Sequence, residues 1–202
     1  MREITKQVVN IFTGSICIVF FLPLWLLICI YKTLVDIRSH TRKPRLIWGP
    51  VPLITNQYWS DALKQDGFQS LTLMTYFSSI HTKDVYDKYC YELIPLLGKI
   101  KNIFLRKFIS LYFLPYISFT YTISKFDIFH HHFTGGFLWT TPFWWLEAWM
   151  LKLAGCKTVL TAFGGDFYRY STIIDVSLRH VLLINFPELA KKENLPTENG
   201  AL

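Results

Sequence analysis

The chain has 202 residues, of which 51% are hydrophobic and 17% charged, which excludes both an intrinsically disordered chain and a disulfide-stapled miniprotein. The net charge is +7, but the basic residues are mostly dispersed and no nucleic-acid-binding motif occurs, so nucleic acid is not an expected partner. Cysteines at 17, 29, 90 and 156 show no C-x-x-C or Cys/His spacing; neither a disulfide framework nor a metal site is expected, and no cofactor.

A short flank, residues 1–10, precedes an uncharged run at 11–31, IFTGSICIVFFLPLWLLICIY. Roughly 20 apolar residues suffice to cross the hydrocarbon core, so this run reads as a transmembrane anchor. Pro23 is tolerable there as a kink, and Trp25 and Tyr31 suit an interface. No small-x-small cleavage site follows, which argues against a removed signal peptide. Residues 32–44 read as a basic juxtamembrane linker. Lys32, Arg38, Arg42, Lys43 and Arg45 follow the run against Asp36, whereas Arg2 and Lys6 precede it against Glu3. The positive-inside rule then predicts a single-pass membrane protein with its C-terminal domain in the cytoplasm.

From 45 onward the pattern alternates. RLIWG at 45–49 reads as a buried strand ended by Gly49-Pro50. A helix over 56–66 carries Tyr58, Trp59, Ala62 and Leu63 at helical spacing, with Gly67 as its C-terminal stop. SLTLM at 70–74 reads as a second strand, completing one βαβ unit. Residues 84–97 have helical character, and 108–124 read as one buried or membrane-touching helix. Strands follow at 126–130 and 158–162, with helical segments in the second half of 137–153 and at 175–184. The expected class is α/β, a Rossmann-like parallel sheet with helices on both faces, over residues 45–193. A polar tail occupies 194–202.

In such sheets ligands bind at the C-terminal ends of strands. Three loops fall there. Gly49-Pro50, followed by Asn56, is a rigid turn and neither a dinucleotide nor a Walker loop. His130-His131-His132 offers a general base, with polar loop packing as the alternative; strand alternation puts His130 and His132 on one face. Gly164-Gly165-Asp166 allows close backbone approach, and Asp166 is suited to a sugar hydroxyl or to capping a helix; Arg169 follows. Trp139, Trp144, Trp145 and Trp149 suit either a membrane interface or core packing.

The stretches KPRLIWGPVPLITNQYWSDALKQDGFQSLTLM, FDIFHHHFTGG and LKLAGCKTVLTAFGGDFYRY together resemble the N-terminal half of a GT-B glycosyltransferase of the family-4 type. The resemblance implies an acceptor-side Rossmann-like domain in which His132 lies near the reacting sugar and Asp166 belongs to the glycine loop. Taken with the loop reading, it makes His132 and Asp166 the expected catalytic residues and Gly49, Pro50, His130, Gly164 and Gly165 the expected substrate-binding ones, to which the loop reading adds Asn56 and Arg169. Phe163 stands where many relatives have histidine. The second domain, which in that family binds the nucleotide sugar, has no counterpart in these residues. The expected activity is therefore hexosyl-type transfer to a lipid-linked or membrane-proximal acceptor, with the donor supplied by a further domain or a partner chain. The alternative is a non-catalytic membrane subunit that recruits a separate catalytic chain.

Overall fold

The structure, a computed structural model, describes residues 2–36, 42–77, 83–133, 135–162 and 173–185. The chain divides into two units, Met1–Thr161 and Ala162–Leu202. The first opens with a long helix, α1 (Arg2–Asp36), which runs on through Pro23. Its segment Gln7–Leu34 is long and apolar enough to cross a membrane by length and composition.

There follow β1 (Arg45–Trp48), α2 (Ile54–Gln65), β2 (Gln69–Met74), β3 (Lys88–Tyr89), α3 (Ile103–Tyr112), α4 (Leu114–Lys125), β4 (Ile128–His132), α5 (Trp145–Leu153) and β5 (Lys157–Thr161). The five strands form one parallel sheet in the order β3-β2-β1-β4-β5. From β1 the chain winds outward first through β2 and then, on the other side, through β4 and β5. Right-handed crossovers put α2 and α5 on opposite faces. This is the expected α/β parallel sheet, and its strand order is consistent with a Rossmann-like domain.

The two faces differ in chemistry. Ile47, Leu73 and Phe129 are fully buried in a core with Phe119, Ile123 and Leu151 from α4 and α5. The α2 face is polar. Ser60 and Ser70 share a hydrogen bond of 2.8 Å, and Thr72 Oγ1 donates to Gln57 Oε1 at 2.8 Å. Both α2 and α5 end at a positive-φ glycine, Gly67 and Gly155. In each case the amide two positions beyond the cap reaches back into the last turn, Phe68 N to Leu63 O and Cys156 N to Leu151 O, which satisfies carbonyls the helix leaves open.

Helix α1 belongs to this unit along most of its length. Trp25 is completely buried, stacks on Tyr116 and meets Phe119 edge-on. Its indole Nε1 donates to Thr120 Oγ1 at 2.7 Å. Lys32, also buried, donates to Phe126 O and lies 3.5 Å from Asp127 Oδ1.

Three local expectations differ from the structure. The segment 84–97 is not a helix. It holds 3-10 turns at Lys83–Val85 and Cys90–Leu93 around β3, because Asp87 and Lys88 bond to the edge of β2 instead, through Asp87 Oδ2 to Thr72 N at 2.8 Å and the Leu73–Lys88 register. The run 108–124 is two helices broken at Phe113, since Pro115 in the first turn of α4 has no amide hydrogen to continue α3. Strand β4 starts two residues later than 126 and therefore carries all three histidines. Phe126 N still closes α4 on Thr122 O, and Asp127 uses its side chain to bind Arg45 N. In the second unit, α6 (Val176–Asn185) matches the expected helix within a residue.

Candidate functional site at the C-terminal edge of the sheet

The turn after β1 is fastened on both sides. Gly49 N donates to His130 O at 3.2 Å, and Thr75 N donates to Pro50 O at 2.9 Å. Gly49 has φ +149°, and a Cβ there would stand 2.1 Å from Leu73 O. Only glycine lets β1 and β2 lie this close at their ends. The Gly49–Pro50 peptide is cis. Asn56 is buried, and its Nδ2 donates to Val51 O at 3.2 Å, bracing the same turn from the first turn of α2.

Strand alternation separates the histidines. His130 lies flat on Trp48, centroids 3.7 Å apart, on the α2 face. Burial, and secondarily the neighbouring His131, bring its pKa down to about 4; this ring is neutral at physiological pH. His132 Nδ1 lies 3.2 Å from Thr161 O on β5. A carbonyl only accepts, so Nδ1 carries a proton in this contact.

His131 points the other way, into the apolar face. Its Nδ1 is 2.9 Å from Gly49 O, and its Nε2 is 3.4 Å from Glu147 Oε1. Glu147, on α5, is buried, and its oxygens accept from Phe137 N at 2.9 Å and Leu138 N at 2.7 Å. Burial raises its pKa, against the lowering effects of His131 and the two amides. The carboxylate fits because Gly136 has no side chain: a Cβ there would meet Oε1 at 2.1 Å. His131 thus bonds to the turn after β1 and Glu147 to the loop after β4, and the two side chains stand 3.4 Å apart without a hydrogen bond between them.

A groove leads away from this edge. Its inner part, about 110 Å³, is lined by Thr75, Cys90, Phe137 and Trp139, which follow β2, β3 and β4. It shares Ser110 and Leu111 with an outer part of about 640 Å³ that also takes in Arg106 and Lys107.

Of the residues singled out from sequence, Gly49, Pro50, His130 and His132 meet at adjacent strand ends, with Asn56 directly behind the turn. Gly164, Gly165, Asp166 and Arg169 lie outside the described residues. Sequence reading passed over Glu147 as a site residue. A signal was present, since Glu147 is the only carboxylate between Asp127 and Asp166 and sits in a tryptophan-rich helix. Among the described residues no cluster of three or more His, Cys, Asp and Glu side chains is placed to hold a metal ion.

The fold and this edge define a parallel α/β domain with a polar, histidine-bearing cluster at the ligand end of its sheet. Comparison of the chain with family models, with curated proteins and with solved structures returned no significant match.

Proposed function

We propose that the chain is the membrane-anchored, acceptor-side half of a GT-B glycosyltransferase of the family-4 type. In this reading it moves a sugar from a nucleotide-sugar donor to a lipid-linked or membrane-proximal acceptor at the cytoplasmic face. A second domain or a partner chain holds the donor. The observation that carries the reading is the meeting of Gly49, His130 and His132 at the C-terminal ends of β1 and β4.

The chemistry centres on His132. As the acceptor oxygen bonds to the anomeric carbon, the bond to the diphosphate oxygen breaks and the nucleoside diphosphate leaves. The hydroxyl proton is assigned to the His132 ring, which Thr161 O orients through Nδ1. The family resemblance and the sequence reading assign Asp166 to acceptor hydroxyls, together with Gly164, Gly165 and Arg169.

A second reading, a recruiting subunit without chemistry of its own, is favoured by one feature: Gly49, Asn56 and His131 are all engaged in bracing the turn. The test is to purify the full chain with whatever co-purifies in mild detergent and assay transfer from radiolabelled nucleotide sugars. Loss of transfer in His132→Ala and Asp166→Asn, with unchanged circular dichroism, supports catalysis. Full transfer in both variants removes these assignments. Transfer that resides wholly in the captured partner establishes the recruiting subunit.

A further inference from the structure

Helix α1 is apolar all round, but only one side of it is covered by protein. Thr13, Gly14, Cys17, Trp25, Cys29 and Lys32 face inward. The opposite side is bare: Phe12 is 67% exposed, Val19 70%, Phe20 73% and Leu27 65%. A helix at the surface of a water-soluble domain carries polar residues on its outer side. Here no charged residue occurs from Gln7 to Tyr31.

The inward contacts extend almost from end to end. Cys17 Sγ reaches Tyr112 O at 3.7 Å, Cys29 Sγ reaches Met150 O at 3.5 Å, and Thr33 Oγ1 reaches Leu153 O at 3.4 Å. Near the other end, Gly14 sits against Pro142 and Phe143. From Gly14 to Thr33 the helix rises about 28 Å, close to the whole hydrocarbon thickness of about 30 Å. An upright crossing would therefore drag α3, α4 and α5, with the sheet beneath them, through the bilayer. The buried Lys32–Asp127 pair and the open edges of a five-stranded sheet forbid that.

The elements that flank α1 continue its apolar side. On α3, Phe104 is 81% exposed and Leu111 60%; on α5, Trp149 is 61% exposed and Trp145 48%. Exposed Lys99, Lys101, Arg106 and Lys107 stand at and just before α3, and Lys152 stands on α5, where they complement anionic headgroups. Tryptophan is the residue that favours the headgroup boundary.

We infer that the chain meets an anionic phospholipid bilayer side-on, with α1 lying lengthwise on the domain and its outer face sunk into the lipid, flanked by α3 and the tryptophans of α5. The inference rests on the membrane anchoring proposed above, not on the transfer chemistry. It replaces a domain hanging from a crossing helix by a domain seated in one leaflet. The groove under α3 then opens at the lipid surface.

The test uses the full chain with vesicles of phosphatidylcholine, brominated on its acyl chains, mixed with phosphatidylglycerol. Bromine quenches tryptophans that touch the acyl region. Trp145→Phe and Trp149→Phe are each expected to lower the quenched fraction, whereas Trp59→Phe, on the α2 face, raises it slightly by removing an unquenched emitter. All three are conservative changes at exposed positions, and near-ultraviolet circular dichroism checks their fold. If the chain stays with carbonate-washed vesicles but neither α5 variant alters quenching, the side-on seating is overturned and a tether remains. If the chain does not sediment with the vesicles, the membrane anchoring itself is overturned.

Discussion

Lys32 Nζ lies 3.5 Å from Asp127 Oδ1, joining the end of α1 to the start of β4 across 95 positions of sequence. Asp127 has other partners: Arg45 donates to it from its backbone at 2.9 Å and its Nε at 3.1 Å, and Arg42 from Nη2 at 3.1 Å. Lys32 has no second carboxylate among the described residues. The two ends of the pair are therefore unequal. Asp127→Asn leaves the buried Lys32 with the Phe126 carbonyl and the Cys156 sulfur but no countercharge and is expected to cost about 3–5 kcal/mol, whereas Lys32→Met leaves Asp127 held by Arg45 and is expected to cost about half as much. Urea unfolding in mild detergent measures both, and equal losses would contradict the asymmetry.

Acid weakens the same junction. Burial opposes ionisation of Asp127, but hydrogen bonds from the Arg45 side chain and backbone, with the charges of Lys32 and Arg45, outweigh it and bring the pKa from 3.8 to about 2. A lowered carboxylate stabilises the fold above its unfolded pKa, and the contribution disappears as pH falls through the folded value. Asp127→Asn is expected to flatten the stability curve between pH 3.8 and about 2. Thermal melts across that window read the difference.

His130 produces a second acid-sensitive window. Its ring binds a proton at 6.5 when unfolded and at about 4 when folded, so the unfolded chain takes up more protons between these values and stability falls with falling pH. The raised pKa of Glu147 acts in the opposite sense, favouring the fold at low pH and losing that effect as pH rises. His130→Phe keeps the stack on Trp48 and removes only the first effect. Its stability is expected to depend less on pH than that of the parent chain, most visibly between pH 6.5 and 4. Parallel pH dependences would remove His130 as the source.

Glu147 sits over Gly136 as a two-pronged acceptor. Glu147→Gln turns one prong into a donor facing a backbone amide, a loss of about 1–3 kcal/mol. Gly136→Ala places a Cβ where Oε1 now is and is expected to be the more damaging of the two. Chemical denaturation orders them, and an inert Gly136→Ala would mean that the carboxylate is not seated there.

Gly49 and Gly98 form a matched pair of probes. A Cβ at Gly49 meets the Leu73 carbonyl at 2.1 Å at φ +149°, while a Cβ at Gly98 meets nothing within 4 Å. Gly49→Ala is expected to destabilise by more than about 3 kcal/mol, and Gly98→Ala by no more than about 0.5 kcal/mol. The same unfolding assay separates them, and similar values would contradict the tight end of β1.

Much of the secondary structure was legible in the chain. The runs read as strands at 45–49, 70–74 and 158–162 fall within a residue of β1, β2 and β5, and the glycines at 67 and 155 mark helix ends through local rules. The legible part of the site was its strand-end placement: Gly49 and the histidines fall where ligands bind in such sheets. The segment 84–97 misled because its amphipathic spacing is weaker than the pull of the open β2 edge. Lys32 misled differently. Read as a flanking charge for orientation, it is buried against Asp127 and contributes no free positive charge on that side.

The sequence by itself determined the α/β alternation, the long apolar run at 11–31 and the facing of the histidines, since each depends on residues within a few positions of one another. Only the tertiary structure decided that Glu147 meets His131, that Lys32 meets Asp127 and that α1 lies along the domain. Those meetings depend on strand order and on which face each crossover helix covers. Both are set by the packing of distant segments, and no local periodicity encodes them.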